Sequence, residues 1–293
     1  TANWRLGIVN FHGIAIPVYI YYNLLMIVVL GIIIMQYLLH IRKYQQCTND
    51  MVIQIKGIFI AIVIVIVSMV IISFTPVEYI NYIYLFSYLA FLIYPTFMTK
   101  KMKYRYMNFP HLVERMQLIT ILTVGELVIA VIKTYPLAEH FLLSVSTFVM
   151  VGFLFVSYIS QTVIGIEHHQ ERAGGPLVYL HIGILIAINI ITAGVEMYYD
   201  GQLLEMGSSM VLVGITLFYI CLFGTSRYNK EGLQMTKELA RNYFIVYLIG
   251  MFLAFLFKTN TPIFFGILAI QSVVMTRVAF RSRRDWVRDN IQF

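Results

Sequence analysis

The chain has 293 residues; 60% are hydrophobic, 12% are charged, and the mean hydropathy is +0.80. Charged residues are about half as frequent as in soluble domains, which excludes a water-soluble globular protein. The formal net charge of +7 raises the question of a nucleic-acid partner, and the distribution of that charge answers it below.

A span of the hydrocarbon core needs roughly 20 mainly apolar residues. In chain order, nine segments qualify: 14–39, 52–74, 77–98, 112–133, 138–165, 178–199, 203–225, 241–258 and 261–280. In lipid the backbone must satisfy its own hydrogen bonds, and runs of this length do so as helices. The ten-residue alternating strands of a membrane β-barrel do not occur. The expected fold is therefore an all-α polytopic transmembrane helix bundle, one domain over residues 1–293. The corners at Thr75-Pro76 and between Lys258 and Pro262 break long apolar runs, since proline ends or starts a helix. A re-entrant turn would show the same break. The opening TANWRLGIVNFHG has neither an initiator Met nor a signal-peptide pattern, and suggests that a further segment precedes it.

If the loops alternate between the two sides, Lys and Arg separate sharply. One side holds Arg42, Lys43, Lys100, Lys101, Lys103, Arg105, Arg172, Arg227, Lys230, Lys237, Arg241, Arg281, Arg283, Arg284 and Arg288. The other holds Arg5, Lys133 and Lys258. Positive loops stay inside, so the carboxyl terminus is expected in the cytosol and Thr1 outside, in a multi-pass protein of the cell membrane. Topology and anionic headgroups then account for the basic charge. Lipids are the expected partners, and nucleic acid is not required.

Two cysteines, Cys47 in a cytosolic loop and Cys221 within the seventh span, suggest no disulfide framework. The loop EHHQERAGGPL holds His168 and His169, but neighbours on a helix point about 100° apart and suit a shared metal poorly. A solvated turn is the expected reading; no metal site and no cofactor is expected.

The most informative segment is HLVERMQLITILTVGELVIAVIK, His111 to Lys133, which carries Glu114, Arg115 and Glu126 after the basic run Lys100–Arg105. An ionisable side chain in a bilayer costs roughly 2.5–3.5 kcal/mol on insertion scales and usually faces protein. At 100° per residue, Arg115, Glu126 and Lys133 share one helical face. Glu126 lies about 22 Å along the axis from His111. Gly125 is expected to let a neighbouring helix come close. The sixth segment repeats the spacing: His181 and Glu196 are fifteen residues apart, as are His111 and Glu126, with Gly194 just ahead of the acid. The expected intramembrane polar site is thus His111, Glu114, Arg115, Glu126, His181 and Glu196, turned inward as a seam. Lys56, Asn189 and Arg277 are lesser candidates.

The stretch HLVERMQLITILTVGELVIA resembles the His-x-x-Glu-Arg…Gly-Glu signature of the bacterial low-temperature-requirement A family of multi-pass membrane proteins. YLHIGILIAINIITAGVE is similar to that family's following Tyr-x-His helix. The likeness is specific over residues 111–196, and His111, Glu114, Arg115, Gly125, Glu126 and His181 occupy the signature positions. Members typically open with a helix bearing Leu-Phe-Phe-Asp-Leu, which does not occur here. The resemblance thus implies a preceding helix, about ten spans in the complete protein, and an acid missing from the polar centre. It implies a link to growth in the cold and no established molecular activity.

Three functions compete. A transporter or permeation pathway would use the Glu126–Arg115–His111 seam to pass a proton, ion or small polar solute. The alternative is a membrane sensor or structural protein whose polar seam fixes helix packing, supporting growth in the cold. An enzyme would need a nucleophile, metal cluster or cofactor pair. No HExxH or glycine-rich phosphate loop is present, and the chain is not expected to be one. Oligomeric state is left open.

Overall fold

The computed structural model describes residues 8–11, 14–45, 47–76, 79–80, 82–87, 89–90, 108–170, 172, 174–199 and 203–290. It is an all-α polytopic fold that divides into two compact units, Thr1–Tyr106 and Met107–Phe293. Among the described residues, eight helices are long and apolar enough to cross a membrane.

The first unit begins with a short antiparallel hairpin, β1 (Ile8–Phe11) and β2 (Ile14–Pro17), in which Ile8 faces Pro17 and Phe11 faces Ile14. Helix α1 (Val18–Tyr44) therefore starts four residues later than hydropathy suggests. Residues 14–17 are apolar enough for a helix, but they pair with β1, and Pro17 brings no N–H to lose where α1 begins. Arg42 and Lys43 lie in the last turn of α1, where the helix dipole favours cations. Helix α2 (Asn49–Ser73) packs against α1. The Thr48 side chain caps it, accepting from the Met51 N–H at 3.3 Å. It stops just before the expected corner at Pro76. Of the third expected span, residues 80, 82–87 and 89–90 are helical. Apart from Tyr79, whose N–H donates to the Pro76 carbonyl at 3.0 Å, the rest of it, with the basic run at 100–105, lies outside the described residues. Asn23 Nδ2 of α1 donates to Tyr84 Oη at 3.1 Å, tying that stretch to α1.

The second unit holds six helices: α3 (Phe109–Thr134), α4 (Phe141–Ile159), α5 (Gly175–Tyr199), α6 (Leu204–Gly224), α7 (Lys237–Leu256) and α8 (Thr261–Asn290). Helix α4 continues as one wide π-turn segment, Ser160–Gly165, and α6 as a tight 3₁₀ turn, Thr225–Tyr228. Helix α8 runs ten residues beyond the apolar stretch, because nothing in the Arg-rich sequence breaks it and Arg is a good helix former. Helix α7 begins at Lys237 because the Thr236 hydroxyl accepts from the Leu239 N–H at 3.2 Å. Thr236→Ala should cost about 1 kcal/mol, read as a lower thermal midpoint and faster amide exchange confined to the first turn of α7; unchanged exchange there would remove the cap from the account.

Helix α5 packs most extensively on α6, and α4 on α8. Lipid tails are as apolar as leucine, so close van der Waals fit, not hydrophobicity, holds such helices together. The fit between α5 and α6 depends on glycine. A Cβ on Gly207 would lie 2.5 Å from the Tyr198 backbone N, and one on Gly194 would lie 2.9 Å from the Val211 backbone N. Gly125 behaves differently from expectation: a Cβ there meets nothing within 4 Å. Within the second unit no described helix grips it, so its place before an acid does not make it a packing glycine there as Gly194 is.

At one end of this unit an aromatic cluster closes the bundle. Tyr135 Oη donates to the Val195 carbonyl at 3.2 Å, and Tyr198 stacks on Phe264 at 5.1 Å. The Tyr135 ring meets Phe265 and Tyr199 edge-on. The opposite end gathers the α4–α5 and α6–α7 connections and the basic extension of α8.

Candidate functional site

The six residues singled out by sequence do not converge inside the second unit. His111 Nδ1 and Glu114 Oε2 pair at 3.3 Å, one turn apart, and both side chains are about two-thirds exposed. Arg115 and Glu126 are exposed, as is Lys133, so the three share a face as their spacing requires. That face is the one the unit's other helices leave uncovered. The face α3 buries is Phe109, Val113, Thr120, Leu127, Ala130 and Val131. His181 is fully buried while Glu196, on the same helix, is exposed. Fifteen residues at 100° end about 60° away from the start, enough to put one residue of a pair in the core and the other outside. Equal spacing on α3 and α5 therefore produces no matched seam within this unit.

His181 instead joins a different group. Its Nδ1 sits 2.9 Å from the Leu177 carbonyl, so Nδ1 carries the proton and Nε2 presents a bare lone pair. The Tyr158 ring of α4 stands edge-on to the imidazole, with centroids 5.8 Å apart. His181 Nε2 and Tyr158 Oη make no well-aligned hydrogen bond, although the Thr120 hydroxyl lies near the Tyr158 phenol, and Gln117 Nε2 of α3 is likewise buried without one. The Thr120 hydroxyl, also on α3, turns back to its own helix, at 2.8 Å from the Met116 carbonyl.

One turn along α4 lies a second polar centre. The Ser157 and Thr276 hydroxyls are 2.7 Å apart, joining α4 to α8. The π segment then widens the turn, so that Ser160 and Gln161 both reach Arg283 of α8, whose guanidinium donates to Ser160 Oγ and Gln161 Oε1. Such insertions recur at functional positions. Gln161 Nε2 donates to Asn229 Oδ1 at 2.7 Å, and Asn229 Nδ2 donates to the Leu233 carbonyl at 2.7 Å. Gly165 makes room for this amide pair: a Cβ there would lie 3.0 Å from Gln161 Oε1 and 3.3 Å from Asn229 Oδ1. Backbone pairing holds the two connections in register, through Glu167 N to Tyr228 O at 2.8 Å and Lys230 N to Gly165 O at 2.9 Å. His168, expected in a solvated turn, places Nε2 2.9 Å from the Thr162 carbonyl, at the widened turn.

Beside Arg283 is a cavity of about 20 Å³, lined by Ser157, Gln161, Tyr219, Asn229, Tyr243 and Arg283 among others. The Tyr219 hydroxyl is buried beside those of Ser157 and Ser272 and makes no well-aligned hydrogen bond. Arg283 is 8% exposed, and burial pulls its pKa below the usual value, with Tyr243 acting in the opposite direction. A guanidinium stays protonated even so, which leaves a buried cation held by neutral oxygens.

Sequence reasoning missed this centre because it counted Arg283 as a loop charge and passed over neutral amides and hydroxyls. One local signal was present: Ser157, Ser160, Gln161 and Thr162 interrupt the end of an otherwise apolar run. The partners on α8 and after α6 carry no comparable signal. A family model described as bacterial low temperature requirement A protein (LtrA) matches residues 9–279 of the chain. No curated protein and no solved structure matches it.

Proposed function

The chain belongs to the bacterial low temperature requirement A family, and from that membership and its membrane-spanning helices we propose that it is a permeation pathway or carrier for a proton, ion or small polar solute. One observation carries the reading. Among the described residues of the second unit, five buried side-chain atoms make no well-formed hydrogen bond: Gln117 Nε2, Tyr158 Oη, His181 Nε2, Tyr219 Oη and Gln271 Oε1. Buried polar groups are paired in the great majority of cases, and a bundle that only needed to pack would carry Phe or Leu at such positions. Groups left open inside a membrane bundle suit a water chain or a passing solute. On this reading the Lys- and Arg-rich end, including the carboxyl terminus, faces the cytosol.

Tyr158→Phe separates transport from packing, because it deletes a hydroxyl that makes no well-aligned hydrogen bond and keeps the ring. Stability should stay level or rise slightly, since an unpaired buried group is removed. Proton or solute flux into liposomes under an imposed gradient should fall at least tenfold. Flux equal to the parent in both Tyr158→Phe and His181→Gln would defeat the reading. Loss in Glu126→Gln alone would move the pathway to the other face of α3.

A further inference from the structure

We propose that the cavity at Arg283 is a binding site for one small inorganic monoanion of halide size. It builds on the permeation reading, since it names the ligand of one polar centre, but binding is measured without flux.

The charge balance points to an anion. Ser160 Oγ and Gln161 Oε1 take two of the five guanidinium N–H groups, and both are neutral. Among the described residues no carboxylate lies within ion-pair distance of Arg283, whose partners there are the neutral Ser160 and Gln161. A buried charge is ordinarily paired. The pairing is left to something that enters.

The donors converge on the space. Tyr219 is 2% exposed and lines the cavity; its hydroxyl lies near those of Ser157 and Ser272 without forming a well-aligned hydrogen bond to either, so it can turn to an anion. Arg283 has further N–H groups to offer. No Asp or Glu lines the cavity, and the guanidinium beside it repels a second cation. At about 20 Å³ the space holds a water molecule or a monatomic ion, and excludes carboxylates of any length.

A second, larger space adjoins the same arginine. A larger open groove of about 570 Å³ is lined by Arg277, Arg281, Arg283 and Arg284 with Ile164 and Phe280. Arg283 belongs to both linings. A cleft rich in one sign of charge raises the local concentration of the opposite ion, and Arg283 is the residue it shares with the inner cavity.

The test uses the full chain, purified into lipid nanodiscs in gluconate buffer, because gluconate is an anion too large for the cavity. Chloride and then bromide are titrated by calorimetry, with the thermal midpoint as a second readout. One saturable halide site per chain is expected, with a midpoint that rises as it fills. Arg283→Gln should abolish it. Tyr219→Phe, which removes a hydroxyl with no well-aligned hydrogen bond and keeps the ring, should fold normally and weaken halide affinity about tenfold, and it decides the matter where Arg283→Gln fails to fold. Absence of saturable halide binding in the parent, or affinity unchanged in either variant, overturns the proposal. Halide binding without flux in liposomes keeps this site and defeats the permeation reading. Flux without halide binding does the reverse.

Discussion

Gly207→Val should destabilise the second unit by about 3 kcal/mol, the upper part of the range for overpacked cores. A methyl at this position already falls 2.5 Å from the Tyr198 backbone N, 2.7 Å from its Cα and 2.9 Å from the Gly194 carbonyl. These are main-chain atoms of α5, which cannot swing aside as a side-chain tip can. The two helices must separate along their length, and the contacts among Ile191, Val195, Val211 and Ile215 loosen with them. Gly207→Ala should show the same sign at about 2 kcal/mol. Gly152→Ala is the control, because a Cβ there meets nothing within 4 Å. It should be neutral or stabilising by up to about 1 kcal/mol, through helix propensity. Denaturant titration of the three variants checks the order. Equal midpoints for Gly207→Val and Gly152→Ala would show that the α5–α6 contact is not tight.

Gln161→Leu is expected to cost about 3 kcal/mol, by a different mechanism. Gln161 works in both directions: Oε1 accepts from Arg283, and Nε2 donates to Asn229. Leucine fills the volume and does neither, so a buried guanidinium loses one of its two acceptors and the Asn229 oxygen loses its donor. Leaving buried groups unpaired costs more than the lost bond is worth. Gln161→Glu tests the cause. The carboxylate meets Arg283 in a charge-assisted bond, which offsets the lost donor to Asn229, and stability should remain within about 1 kcal/mol of the parent. The same variant installs a fixed counter-charge where the halide is proposed to sit. It should therefore keep the fold and lose halide binding, an outcome that a purely structural role for the centre does not produce. A Gln161→Leu protein as stable as the parent would remove this network from the stability account.

The two polar centres share α4, and its change from α to π geometry is what lets neighbours serve both. Tyr158 reaches His181 of α5, while Ser157, Ser160 and Gln161 reach Thr276 and Arg283 of α8. Helices α3, α5 and α8 thus meet one helix at its polar end, close to the basic connections. A pathway built there would begin at the Arg-lined groove, and it would use few of the ionisable groups that stand out in the sequence.

How much of this was legible beforehand follows from the range of the forces involved. Apolar runs, proline corners and side-chain caps act within a few turns, and the lipid requirement that a backbone bond to itself is met helix by helix. The all-α membrane class, most helix positions and the shared face of Arg115, Glu126 and Lys133 could therefore be read along the chain alone. So could the resemblance carried by residues 111–196. Which face of a helix lies inside is a property of its neighbours. Hydropathy does not distinguish the buried His181 from the exposed Glu126, and nothing local shows that Gly194 is gripped while Gly125 is open. The Arg283 centre joins residues 122 positions apart in sequence, through a widened turn and two paired connections. Only tertiary packing brings them together, because the cost of burying a guanidinium among neutral oxygens is set by everything that surrounds it.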